Sequence, residues 1–204
     1  NDDLTVYTFH LRDGLKWSDG SDLTANDYVY SALRVLTPAT AGQYVNMISD
    51  YVVNAEEFYN GTANAEDVGI KAVDDKTLEF TLKSPCPYFV DLVSMWVYFP
   101  VQEATIEANG DKWTNQADTY ICNGPFKITD MKMGESVVLE KNENYWDADN
   151  VTLQKLTYRY ILDTSTALTA YENGEVDGVR TIPASDLARL EADNAGVVTA
   201  PSYG

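Results

Sequence analysis

Apolar and polar residues alternate from Leu4 to Leu11, with Tyr7, Phe9 and Leu11 on one side and Val6, Thr8 and His10 on the other. A period of two predicts a strand. Asp13-Gly14 and Ser18-Asp19-Gly20 then mark turns. From Thr24 the period changes. Thr24-Ala25-Asn26-Asp27 has the form of a capping box, and Tyr28, Val29, Ala32, Leu33 and Leu36 follow at helical spacing, so a helix is expected to end at Pro38. A short helix containing Met47, Ile48 and Tyr51 precedes a hairpin, which runs from Ile70 to Val73, turns at Asp74-Asp75-Lys76 and returns through Leu78, Phe80 and Leu82. Pro85-Cys86-Pro87 breaks the returning strand, and Tyr88 to Met95 reads as a short buried helix.

The second half repeats this vocabulary. A helix is expected from Glu103 to Ala108, and Asn123-Gly124-Pro125 launches a strand that hairpins at Met133-Gly134-Glu135 onto Ser136 to Lys141. A strand from Leu156 to Leu162 leads to a helix capped by Asp163 or Thr164 and stopped by Gly174. A short strand from Asp177 to Thr181, a helix from Pro183 to Ala192 and an apolar run at Val197-Val198 follow. Strands and helices that alternate, with hairpins among them, predict an α/β or α+β chain with mixed sheets. No repeat or low-complexity tract is present.

Composition narrows the functional classes. Hydrophobic residues make up 45% of the 204, enough for a globular core. Lysine and arginine total 14 against 32 acidic residues, a formal charge of −18, which opposes nucleic acid or an anionic membrane as partner. No stretch reaches the roughly 18 apolar residues of a membrane span, and Asn1-Asp2-Asp3 has neither the basic start nor the apolar core of a secretion signal.

Little in the chain suggests catalysis. The single histidine, His10, rules out histidine clusters and leaves dyads or triads only where His10 itself takes part; its place in a strand points to packing instead. Glycine-rich phosphate loops are missing, and Asp147-Ala148-Asp149-Asn150 lacks the glycine and terminal glutamate of a calcium loop. Carboxylate pairs such as Glu56-Glu57, Glu66-Asp67 and Asp74-Asp75 sit at helix starts and turns, where solvated carboxylates are ordinary, although a glycoside hydrolase would need two of them across a cleft. Two cysteines, Cys86 and Cys122, admit either a disulfide or two free, partly buried thiols.

Four signals follow one another in a fixed order: Asn123-Gly124-Pro125-Phe126, Leu139-Glu140-Lys141-Asn142-Glu143-Asn144-Tyr145-Trp146, Tyr158-Arg159-Tyr160 and Asn173-Gly174-Glu175-Val176-Asp177. Upstream stand Thr8 to Gly20, reading Thr-Phe-His-Leu-Arg-Asp-Gly-Leu-Lys-Trp-Ser-Asp-Gly, and Leu23 to Ser31. Together they resemble the extracellular solute-binding proteins of family 5, the oligopeptide, dipeptide and nickel receptors of ABC importers, and Gly110-Asp111-Lys112-Trp113-Thr114 resembles the oligopeptide receptors in particular.

The resemblance implies a periplasmic-binding-protein-like fold of class II, here incomplete: a smaller lobe over 1–102 and part of a larger lobe over 103–204, with the passage between them around Phe99-Pro100-Val101. It also implies a central piece of a longer protein that begins in mid-pattern and stops at Tyr203-Gly204. The implied function is capture of oligopeptides outside the cell and delivery to a membrane permease, with no enzymatic activity and no cofactor. The protein would be periplasmic or lipid-anchored at the cell surface, and the alternative cargoes are a dipeptide, nickel or a sugar. Tyr44, in the segment Thr37 to Tyr44, matches a tyrosine of the family's peptide site. Arg180 and Thr181 match a strand end facing the cleft, where an arginine departs from the amides expected. Trp17, Trp113, Tyr145 and Trp146 are expected in the core, and unpaired sheet edges are expected to favour self-association.

Overall fold

The computed structural model describes residues 1–193 and 195–198; the terminal Tyr203-Gly204 lies outside the described residues. They fall into two compact units, one of 1–131 with 138–157 and the other of 132–137 with 158–204. The segment from Gln102 to Met131 belongs to the first unit, where it is tied: Val101 N donates to Ser31 Oγ at 2.7 Å, Tyr30 Oη to Glu107 Oε1 at 3.2 Å, and Ser18 N to the Cys122 carbonyl at 2.7 Å.

In the first unit β1 (Val6–His10) is followed by α1 (Ala25–Val35), α2 (Asn46–Ser49), α3 (Ala55–Tyr59), β2 (Ile70–Asp74) and β3 (Thr77–Thr81). The expected strand from Leu4 begins later, because Leu4 takes a left-handed φ of 55° that a strand cannot continue. The sheet is antiparallel in the order β1-β3-β2, with Tyr7 opposite Phe80 and Phe9 opposite Leu78. Alternation therefore puts Leu78 and Phe80 on one buried face, against Ala32 and Leu36 of the α1 region, Ile48 and Val52. The capping box is present: Thr24 Oγ1 accepts from Asn26 N, and Asp27 Oδ2 accepts from Thr24 N at 2.7 Å. Gly69 crosses so close to β3 that a Cβ there would lie 2.5 Å from the Thr81 carbonyl oxygen.

The short α4 (Phe89–Leu92) buries Phe89 completely, edge-on to Phe80 at 5.2 Å and to Tyr98 at 6.1 Å. α5 (Glu103–Asn109) leads to a second three-stranded sheet, β4 (Phe126–Lys132), β5 (Ser136–Lys141) and β6 (Lys155–Arg159), in that order. Gly134, at φ 75°, makes the turn between β4 and β5.

In the second unit α6 (Thr164–Glu172) starts where Asp163 accepts from Thr166 N at 2.7 Å. It stops in a Schellman arrangement: Glu175 N donates to Ala170 O at 2.8 Å and Gly174 N to Tyr171 O at 2.9 Å. Arg189, in α7 (Leu187–Ala192), reaches Glu172 at 2.8 Å. The strand expected over Asp177–Thr181 is not formed. Gly178 offers no side chain to pack, Arg180 and Thr181 are exposed, and no strand lies alongside among the described residues.

Candidate ligand-binding site

Motifs that lie far apart in sequence meet in one hydrogen-bonded clasp in the first unit. Asn142 is fully buried. Its Nδ2 donates to the Gly124 carbonyl at 2.8 Å, its Oδ1 accepts from Asn144 N at 3.1 Å, and its own amide donates to Pro125 O at 2.9 Å. Asn144 Nδ2 continues to Ser18 O at 3.2 Å, and the Cys122 amide donates to Ser18 Oγ at 3.2 Å. Thus the segment through Ser18, the Asn-Gly-Pro turn and the Lys-Asn-Glu-Asn run are locked together by groups that satisfy one another around the buried Asn142. This clasp holds the three segments in place.

The aromatic residues expected in the core divide. Trp17 is 1% exposed and meets the expectation. Trp146 does not: it is 51% exposed, and the Arg12 guanidinium sits over its ring at 4.1 Å. A ring beside an arginine can stay at the surface, because the cation interacts with its face without desolvation. Trp146 and Arg12 stand at the mouth of a cavity of about 410 Å³ whose apolar wall includes Phe9, Leu11, Leu78 and Phe80. Tyr28 also lines it, and burial pushes its phenol above the usual tyrosine range.

Of the residues matched to a peptide site, Tyr44 belongs to the first unit, and Arg180 and Thr181 to the second. Tyr44 follows a 3-10 turn over Pro38–Thr40 and the left-handed Ala41, at φ 51°. It is 40% exposed, and its ring meets that of Trp96 edge-on at 5.4 Å and 85°. Arg180 and Thr181 are exposed, and no carboxylate lies within ion-pair distance of Arg180 among the described residues. Trp96 was not singled out by the sequence. Its signal was the run Met95 to Phe99, too uniformly apolar for every member to be buried by a single short turn.

Both cysteines are free. Cys86 is buried, and the Cys122 thiol donates to Phe126 O at 3.3 Å. Among the described residues no three of histidine, cysteine, aspartate and glutamate come together to hold a metal, and no helix is long and apolar enough to cross a membrane.

Residues 1–204 match the family model described as bacterial extracellular solute-binding proteins, family 5 middle. The chain belongs to that family. Among its relatives, the oligopeptide-binding protein OppA of Bacillus subtilis is 39% identical over 95% of this chain and 36% of its own length. A crystal structure of a periplasmic oligopeptide-binding protein of Borrelia burgdorferi, OppAIV, superimposes with a TM-score of 0.90 at 42% identity, covering 94% of this chain and 38% of that one. Haemophilus influenzae OppA in complex with the peptide RPPGFSPFR gives 0.89 at 30% identity, over 96% of this chain and 38% of that one. The chain therefore spans a little over a third of these proteins, and its mixed α/β architecture is the corresponding part of a periplasmic-binding-protein fold.

Proposed function

We propose that these residues are part of the substrate-binding component of an ABC importer, one that captures oligopeptides outside the cell and delivers them to the membrane permease without changing them chemically. The observation that carries this reading is the superposition, at a TM-score of 0.90 over 94% of the chain, on an oligopeptide-binding protein. The charge of −18 agrees with an extracellular receptor that avoids nucleic acid and anionic membrane surfaces. In the whole receptor the protein is periplasmic or tethered by a lipid. Its two lobes meet near Gln102: the sheet β1-β3-β2 lies wholly before that residue and the sheet β4-β5-β6 wholly after it. Tyr44, Arg180 and Thr181 face the peptide. Tyr44 offers a flat apolar face with a hydroxyl at its tip, and Arg180 offers a guanidinium fork for a carboxylate.

Affinity in such a receptor comes from enclosing the peptide and pairing its backbone and ends in a dry cleft, which offsets the several kcal/mol of freedom lost on association. Titration calorimetry with tri- to pentapeptides tests this. A receptor containing these residues within its full chain binds at micromolar concentration or tighter, whereas residues 1–204 alone bind weakly or not at all and self-associate through the outer strands of their sheets. Micromolar binding by the 204 residues alone would place the whole site inside them. Mass spectrometry of ligands co-purifying with the full receptor separates cargoes: a mixed peptide population supports oligopeptides, and a single dipeptide, sugar or metal replaces that reading.

A further inference from the structure

We propose that Trp96, paired with Tyr44, is a specificity-determining wall of the binding surface, and that it takes an apolar or aromatic side chain of the peptide. The inference rests on the peptide-binding reading. Trp96–Tyr98 form a 3-10 turn in which Val97 and Tyr98 point inward, 9% and 6% exposed, while Trp96 is 61% exposed. The turn is firmly seated. Tyr98 Oη donates to Met47 O at 2.5 Å, Met47 N donates to Tyr44 O at 3.0 Å, and Ile48 beside them is fully buried. The segments that carry Tyr44 and Trp96 are thus joined by hydrogen bonds at their bases, and both rings stand outward, centroids 5.4 Å apart and planes at 85°.

An edge-to-face pair leaves a face of the indole open to solvent. A rigid aromatic surface of this kind loses little conformational freedom when it is covered, which is why tryptophan and tyrosine dominate binding energy where apolar groups dock. It selects for apolar bulk and makes no demand for a hydrogen-bond partner from the side chain it covers, as a receptor for peptides of varied sequence requires. A simple hydrophobic packing role fits less well, because the neighbouring Val97 and Tyr98 already fill the core beneath.

The test uses a full-length receptor carrying these residues, with Trp96→Ala and Trp96→Phe variants whose melting temperatures confirm folding. The probes are tetra-alanine and the four peptides with one phenylalanine moved along it, titrated calorimetrically. Wild type is expected to prefer phenylalanine at one position or more. Trp96→Ala lowers affinity for that peptide about tenfold while tetra-alanine binding is unchanged, and Trp96→Phe restores most of the loss. Equal affinities in wild type and Trp96→Ala, or an equal loss for all five peptides, overturn the inference and leave the peptide reading standing. If wild type binds none of the five, the peptide reading falls and takes the inference with it.

Discussion

Asn142 offers the sharpest test of the clasp, because it is fully buried and its side chain makes two hydrogen bonds to main-chain groups. Asn142→Ala removes both, each contributing about 1 kcal/mol net, and strands the Gly124 carbonyl and the Asn144 amide at a further cost of about 1 kcal/mol or more. A loss of about 2–4 kcal/mol is expected, a large share of the roughly 5–15 kcal/mol that holds a domain together. Asn142→Asp keeps the shape and the acceptor for Asn144. Its second oxygen, however, faces the Gly124 carbonyl, and two acceptors meet unless the carboxyl is protonated. Burial and this contact raise the folded pKa of the introduced group above its unfolded value of about 3.9. The folded variant then holds its proton more tightly than the unfolded chain, so its deficit against wild type is smallest below that value and grows as pH rises to the folded pKa, beyond which it is constant. Urea unfolding at pH 4 and pH 7, followed by tryptophan fluorescence, reads the first unit alone, since Trp17, Trp96, Trp113 and Trp146 all belong to it. Subtracting wild type at each pH removes the other carboxylates. A loss under about 0.5 kcal/mol for the alanine variant, or an aspartate deficit that does not change with pH, would refute the clasp.

Two further outcomes are expected. The Asp163 carboxyl accepts from the Thr166 hydroxyl and amide, which holds its pKa below the ordinary 3.8, so its stabilising contribution is present above 3.8 and disappears as pH falls through the lowered folded value; Asp163→Ala accordingly lowers the melting temperature of α6, read by circular dichroism, at pH 7, and the gap to wild type closes in acid. Alkylation without reductant adds two labels to the denatured chain by mass spectrometry, and in the native state Cys122 reacts while Cys86, 3% exposed, is protected; an unlabelled denatured chain would mean a bridge.

What could be read from the sequence is what local spacing determines. The capping box at Thr24 and Asp27, the Asp163 cap and Gly174 stop of α6, and the alternation of Leu78 and Phe80 all concern residues within a few positions of one another, where backbone geometry leaves few choices. The failures concern distant partners. Trp146 was expected in the core because its apolar bulk is visible in the sequence, whereas Arg12, which makes a surface position comfortable for it, comes from the other end of the unit. The segment Asp177–Thr181 has strand-like residues but no neighbouring strand among the described residues, and a strand exists only by pairing. Of the candidate site, the segment Thr37 to Tyr44 was reached only through the family resemblance, and Trp96 lay in an apolar run without a period.

The contrast between Asn142 and Trp96 explains why these motifs identify a family more surely than a cargo. Signatures such as Asn-Gly-Pro and Lys-Asn-Glu-Asn are tied to one another: the Asn142 side chain matches the main-chain carbonyl of Gly124 and the main-chain amide of Asn144 at once, so replacing Asn142 leaves both without that partner. Tyr44, Trp96, Arg180 and Thr181 carry no such constraint, since each has much of its side chain in solvent. None of these side chains has a hydrogen-bond partner among the described residues, so replacing one breaks no side-chain hydrogen bond. On the peptide-binding reading proposed above, discrimination among peptides is to be sought in exposed residues such as Trp96 and not in the buried Asn142 that ties the signatures together.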